Sequence, residues 1–151
     1  MDSQRAYLDA LRMLGRRELS EAQLRQRLAR RSHDPGAIDA AVDRLLEERA
    51  LDDARVAEAI ARSETSVRKR GRQRVRRRIE SAGIAAATAR RAVDAVFEEL
   101  DEDALLEAAL AKRRRRGATG RDERELSRLY RFLVGQGFEP ERVMAKLKNL
   151  K

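Results

Sequence analysis

The sequence predicts an all-α protein, an elongated array of three tandem three-helix repeats. Three observations predict it. First, seven positions recur three times without a gap: Leu24, Leu28, Ser32, His33, Ile38, Val42, Leu45, then Val75, Ile79, Gly83, Ile84, Ala89, Val93, Val96, then Leu129, Leu133, Gly137, Phe138, Val143, Leu147, Leu150. The copies stand 51 and 54 residues apart, and self-similarity at such a period marks stacked units. Second, 40% of the 151 residues are charged, while only two are proline and five are aromatic. That is the bias of long helical proteins, and it leaves little bulk for one large core. Third, the apolar residues keep the 3-and-4 spacing of a buried helical stripe.

Each copy ends in two helices, B and C, joined by a tight turn, and a helix A precedes the pair. In the first repeat, residues 1–51, helix A lies around Tyr7, Leu8, Leu11 and Leu14. Ser20-Glu21-Ala22-Gln23 forms a capping box for helix B. Asp34-Pro35 opens helix C, because proline at a first turn forfeits no hydrogen bond. In the second repeat, residues 52–101, Leu51-Asp52-Asp53 places acids at the start of a helix around Val56, Ile60 and Ala61, where the helix dipole favours them. Its helix B carries Val75, Ile79 and Ala82 on one side and stops at Gly83, which tolerates the left-handed conformation. In the third repeat, residues 102–151, Leu100-Asp101-Glu102-Asp103 opens a helix around Leu105, Leu106, Ala109 and Leu110. Glu139-Pro140 opens the last helix C. A unit of this size buries too little surface to stand comfortably alone, so each should lean on its neighbour.

The A–B connection is short in the first repeat, and in the other two it carries basic runs. Arg68-Lys69-Arg70 continues into Arg72, Arg74, Arg76, Arg77 and Arg78, eight basic residues in eleven with no acid. The second run is Lys112-Arg113-Arg114-Arg115-Arg116. The net charge of +9 builds along the chain, +1, +3 and +5 for the three repeats in order. Thirty of the 35 basic residues are arginine, whose planar fork suits phosphates and carboxylates. Like charges at that density repel, and an anionic partner relieves them.

Catalytic and metal sets are missing from the sequence. There is no cysteine, and His33 is the one histidine, at a turn position that Ile84 and Phe138 fill in the other copies. Gly117-Ala118-Thr119-Gly120 lacks the Lys-Ser/Thr that would make it a phosphate loop and reads as a flexible link. The acidic clusters follow helix-start logic and require no metal. A non-enzymatic protein without a cofactor is expected. The charged N-terminus is no signal peptide, and no apolar run approaches the ~18 residues of a membrane span, so a cytoplasmic protein without a membrane partner is expected. Helix B–C pairs look like helix-turn-helix units, but their second helices carry no polar reading face, and no aromatics interleave with the basic runs to stack bases. Contact with a nucleic-acid backbone, or docking on acidic protein surface, fits better.

Three segments carry a family resemblance: Leu51-Asp52-Asp53-Ala54-Arg55-Val56-Ala57, Gly71 through Ile84, and Leu129-Tyr130-Arg131-Phe132-Leu133-Val134-Gly135-Gln136-Gly137-Phe138. They resemble the ordered signature segments of the RecX family, and the resemblance covers nearly the whole chain. It implies a bacterial negative regulator of the recombinase RecA that lies in the groove of the RecA–DNA filament and inhibits ATP hydrolysis, strand exchange and coprotease activity, acting in recombination, repair and the SOS response. Arg68, Lys69, Arg70, Arg72, Arg74, Arg76, Arg77 and Arg78 are then the first candidates for contact with RecA or DNA phosphates, and Lys112 to Arg116 the second. The rival expectation is a non-specific binder of single- or double-stranded DNA backbone that coats DNA. A monomer is expected. The chain departs from the family pattern at Val56, at Ser32-His33 and at Gln136; serine tolerates a left-handed cap less well than glycine, so the first helix B is expected to end differently.

Overall fold

The apolar stripes are the parts of this chain that can form a core, and the computed structural model, described for residues 2–117 and 120–150, folds around them. The described helices are α1 (Asp2–Arg16), α2 (Glu21–Arg30), α3 (Pro35–Glu47), α4 (Asp53–Ser66), α5 (Arg72–Ser81), α6 (Ala86–Glu98), α7 (Glu102–Arg114), α8 (Glu123–Gly135) and α9 (Pro140–Lys148), with no strand among the described residues. They group in threes, and the closely packed helix pairs all lie within one group. The accessible surface of 9595 Å² exceeds the about 7,800 Å² expected of a compact 17.2 kDa protein, which fits an extended array.

Local chemistry sets the helix ends. Ser20 and Gln23 form the reciprocal capping box, while Asp52 and Asp101 accept from the first free N–H groups of α4 and α7. Pro35 and Pro140 sit in the first turns of α3 and α9. The recurring apolar positions are buried, except that Leu150 is only partly covered. Two expectations change in detail. Helix α1 packs through Ala6, Tyr7 and Ala10, while Leu8 and Leu11 are exposed, because the face turned to α3 lies one residue earlier than the leucines suggest. The first helix B does not end differently: Ser32 adopts a φ of 65°, the same left-handed turn as Gly83 at 81° and Gly137 at 103°. Of the link Gly117–Gly120, Ala118 and Thr119 lie outside the described residues.

One joint is used twice. The start of α2 meets the turn that ends α5, where Ser20 Oγ donates to Ala82 O. The start of α5 meets the turn that ends α8, where Gly71 N–H donates to Gln136 O at 2.8 Å and Gln73 N–H to Gly137 O at 3.1 Å. The N-terminal residue of the next helix A completes each joint: Asp53 accepts from Glu21 N–H, and Glu102 accepts from Arg72 Nε at 2.7 Å. The B helices therefore abut end to end in the order α8, α5, α2, against the direction of the chain. The core behind them divides unequally. The first repeat keeps its own cluster, whereas the second and third share one.

Candidate nucleic-acid and filament interface

The two basic runs are far apart in sequence and come together in space. Arg68, Lys69 and Arg70 follow α4, Lys112 and Arg113 lie in the last turn of α7 and Arg116 just after it; with Phe132 and Gln136 of α8 they line one cleft at the joint between the second and third repeats. The second run is less of a loop than its sequence suggests, because α7 continues through Arg114. Arg113 lies over the Phe132 ring, 4.5 Å from its centroid. Phe132 thus brings an aromatic surface to the basic cluster, although none interleaves with it in sequence.

The thirteen predicted residues divide by what already holds them. Arg70 is spent on the fold: it pairs at 2.7 Å with Glu64, whose side chain is 6% exposed. Arg72 bridges Asp94 at 2.9 Å and Glu102 at 2.7 Å, and these partners raise its pKa above the ordinary arginine value, Glu102 most. Arg74 donates to Gly135 O and Gln136 Oε1 across the joint. Its pKa is lowered, first by burial and then by repulsion from Arg70, with Arg77 and Arg68 adding to it. Arg68 pairs loosely with Glu64 at 3.4 Å, Arg76 pairs with Glu80 at 3.7 Å, and Arg78 donates to Ser81 Oγ. Among the described residues, Lys69, Arg77, Lys112, Arg114, Arg115 and Arg116 have no side-chain hydrogen bond or ion pair, and Arg113 has only the ring of Phe132.

The cleft does not stop at that joint. A second cleft, at the joint between the first and second repeats, is lined by Arg17, Arg68 and Arg78, among others. A third, between α1 and α2, is lined by Arg12, Arg16, Arg17, Arg27, Arg30 and Arg31. Arg17 belongs to both of the latter, and Arg68 to the first two, so the three clefts form one track along the array. It runs between the A helices and the B helices, and no residue of α3, α6 or α9 lines it. Its acids are neutralised in place: Asp9 by Arg31 at 2.7 Å with His33 at 2.9 Å, Glu18 by Arg55, and Glu64 by Arg68 and Arg70.

The arginines of the first repeat were not among the sequence candidates. The signal that could have found them is the repeat itself: Arg17 and Arg27 stand 51 positions before Arg68 and Arg78. His33 acts as a turn residue, and its partner is Asp9. No helix among the described residues is long and apolar enough to cross a membrane.

Comparison with known proteins agrees with this architecture. A model of the first three-helix domain of RecX matches residues 6–45. The regulatory protein RecX of Halorhodospira halophila is 38% identical over 137 residues, covering 90% of this chain and 82% of that protein. The regulatory protein RecX of Chromohalobacter salexigens is 39% identical over 135 residues, covering 89% and 86%. The crystal structure of RecX from Lactobacillus salivarius superposes with a TM-score of 0.85 over 99% of this chain and 96% of that one, at 16% identity, a likeness of fold. The chain belongs to the RecX family.

Proposed function

From that membership and the basic track together, we propose that this protein is a negative regulator of the RecA recombinase. It lies along the groove of the RecA–DNA filament, spans neighbouring protomers and inhibits ATP hydrolysis, strand exchange and coprotease activity. The observation that carries this reading is the track: three adjoining clefts across all three repeats, lined by cations most of which have no ion pair among the described residues, with each lining acid of the joints and of the first repeat already paired. A run of that length suits a polymer of repeating negative surface better than a small ligand, whose pockets are mostly apolar. Holding protomers in one relation hinders the movement that ATP turnover requires, so no covalent chemistry of the regulator's own is needed.

The test is the DNA-dependent ATPase of preformed RecA filaments. Lys112, Arg113 and Arg116 changed together to Glu should raise the concentration for half-inhibition at least about tenfold, as expected when several rim charges are reversed. Arg17 and Arg27 changed together to Glu should act in the same direction. Undiminished inhibition by folded variants would remove the track from the mechanism. Salt separates the filament from bare DNA. Neutralising 6–10 phosphates loses roughly 10³–10⁵ in affinity between 50 and 200 mM salt. Inhibition persisting after free-DNA binding has gone supports docking on RecA, and inhibition that vanishes with it supports coating of DNA.

A further inference from the structure

A groove of about 970 Å³ lies between α8 and α9, on a different side from the basic track. Leu126, Tyr130 and Leu147 form its floor, and Met144, 50% exposed, stands at its edge. Arg124, Arg128, Arg131 and Lys148 surround it. Among the described residues these four cations have no ion pair or side-chain hydrogen bond. One acid, Glu123, shares the lining.

The repeat shows what kind of object such a surface receives. Leu126, Ser127 and Arg128 occupy the positions of Arg72, Gln73 and Arg74 in the second repeat and of Glu21, Ala22 and Gln23 in the first. At both of those places the surface is covered by a helix-ending turn, and an acid that opens a following helix reaches it, Glu102 in one case and Asp53 in the other. Among the described residues nothing covers the third. The groove also differs from its counterparts in chemistry: Met144 and Leu126 stand where the second repeat has Arg90 and Arg72, so the surface here is more apolar.

We propose that this groove docks a helical segment of a partner protein, one that carries acidic residues on both sides of an apolar stripe. Charge complementarity chooses this occupant. The equivalent turn of a second copy of this chain is Ser32-His33, flanked by Arg27, Arg30 and Arg31, and it would bring cation against cation. The apolar floor argues against a nucleic-acid backbone, which offers no side chain to fill it. An amphipathic helix satisfies floor and rim together, with its anchors on one face. This proposal stands independently of the filament reading, because it uses none of the residues of the track.

The experiment is fluorescence anisotropy with the full chain and a fluorescein-labelled peptide of about 14 residues, long enough for leucine anchors at i, i+4 and i+7, with glutamate at the flanking positions. Saturable binding is expected. Met144→Asp should weaken it about tenfold by placing a like charge beside the apolar floor, and Arg128→Glu with Arg131→Glu should weaken it comparably. Met144 is exposed, so folding survives the change, and circular dichroism checks this. The Glu substitutions at Lys112, Arg113 and Arg116 should leave the peptide's affinity within about twofold. Absence of saturable binding, equal binding of polyglutamate of the same length, or loss of binding only in the track variant would each overturn the proposal. Self-association in sedimentation velocity that Met144→Asp abolishes would overturn it in favour of a second copy.

Discussion

The two joints of the array occupy equivalent places and are built from different chemistry. At the first, side chains do the joining: Ser20 caps its own helix and reaches Ala82 O, and Asp53 accepts from Glu21 N–H. At the second, main chain meets main chain. Gly71, the N-cap of α5, has no side chain to cap with, and the carbonyls of Gln136 and Gly137 take the free N–H groups instead. A Cβ on Gly71 would stand 2.7 Å from the carbonyl group of Gly137, so the contact exists only because both residues are glycine. The cores follow the same division, separate across the first joint and continuous across the second. One fold position can thus be joined through a hydroxyl and a carboxylate or through bare backbone. The second solution binds neighbours into one unit, and the first leaves its unit more independent.

That contrast can be broken most forcibly at Gly137. Alanine there would combine a φ of 103° with a Cβ 2.6 Å from that of Arg74, and a loss of about 3 kcal/mol or more is expected in chemical denaturation. Glu64→Gln comes next. It leaves the largely covered Arg70 without its ionic partner, and a loss of about 3 kcal/mol is expected by the same measurement, with salt recovering little of it. Ser20→Ala attacks the first joint and should cost about 0.5–2 kcal/mol, the range for a lost cap. Hydrogen exchange sharpens the comparison without mutation: amides of α2 and α3 should open at a free energy about 1 kcal/mol or more below those of α5 and α8. Uniform protection across the three repeats would show that the polar joint couples as tightly as the backbone one. The smallest effect is a gain. Ser32→Gly relieves a left-handed serine at the exposed end of the array, where no neighbour abuts, and should raise stability by about 1 kcal/mol.

Much of this fold was legible because burial repeats. Leu24 and Leu28, Val75 and Ile79, and Leu129 and Leu133 keep one spacing in three places, and each pair is buried. The caps were legible for the same local reason, since Ser20, Asp52 and Asp101 act on N–H groups two or three residues away. The joints were not, because Gly71 reads as an ordinary loop glycine until Gln136 is beside it. The candidate site was legible in part. Runs of arginine are visible in a linear count, but the count cannot tell Arg70, turned inward to Glu64, from Lys69, which has no partner among the described residues. It also hid the first repeat, whose charge of +1 averages two faces. Asp39, Asp43, Glu47 and Glu48 lie on or at the end of α3, away from the track, while Arg12, Arg16, Arg17 and Arg27 line it.

The end-to-end contact of α8, α5 and α2 has an electrostatic consequence. Each helix is a row of aligned peptide dipoles, and where two rows abut, the negative tail of one meets the positive head of the next and the partial charges cancel. Two poles survive in this row. The positive pole, at the start of α8, carries Asp122 and Glu123; the negative pole, at the end of α2, carries Arg27, Arg30 and Arg31. The row of B helices therefore behaves as a weak bar magnet does, with its polarity masked by side chains at both tips and running opposite to the direction of synthesis.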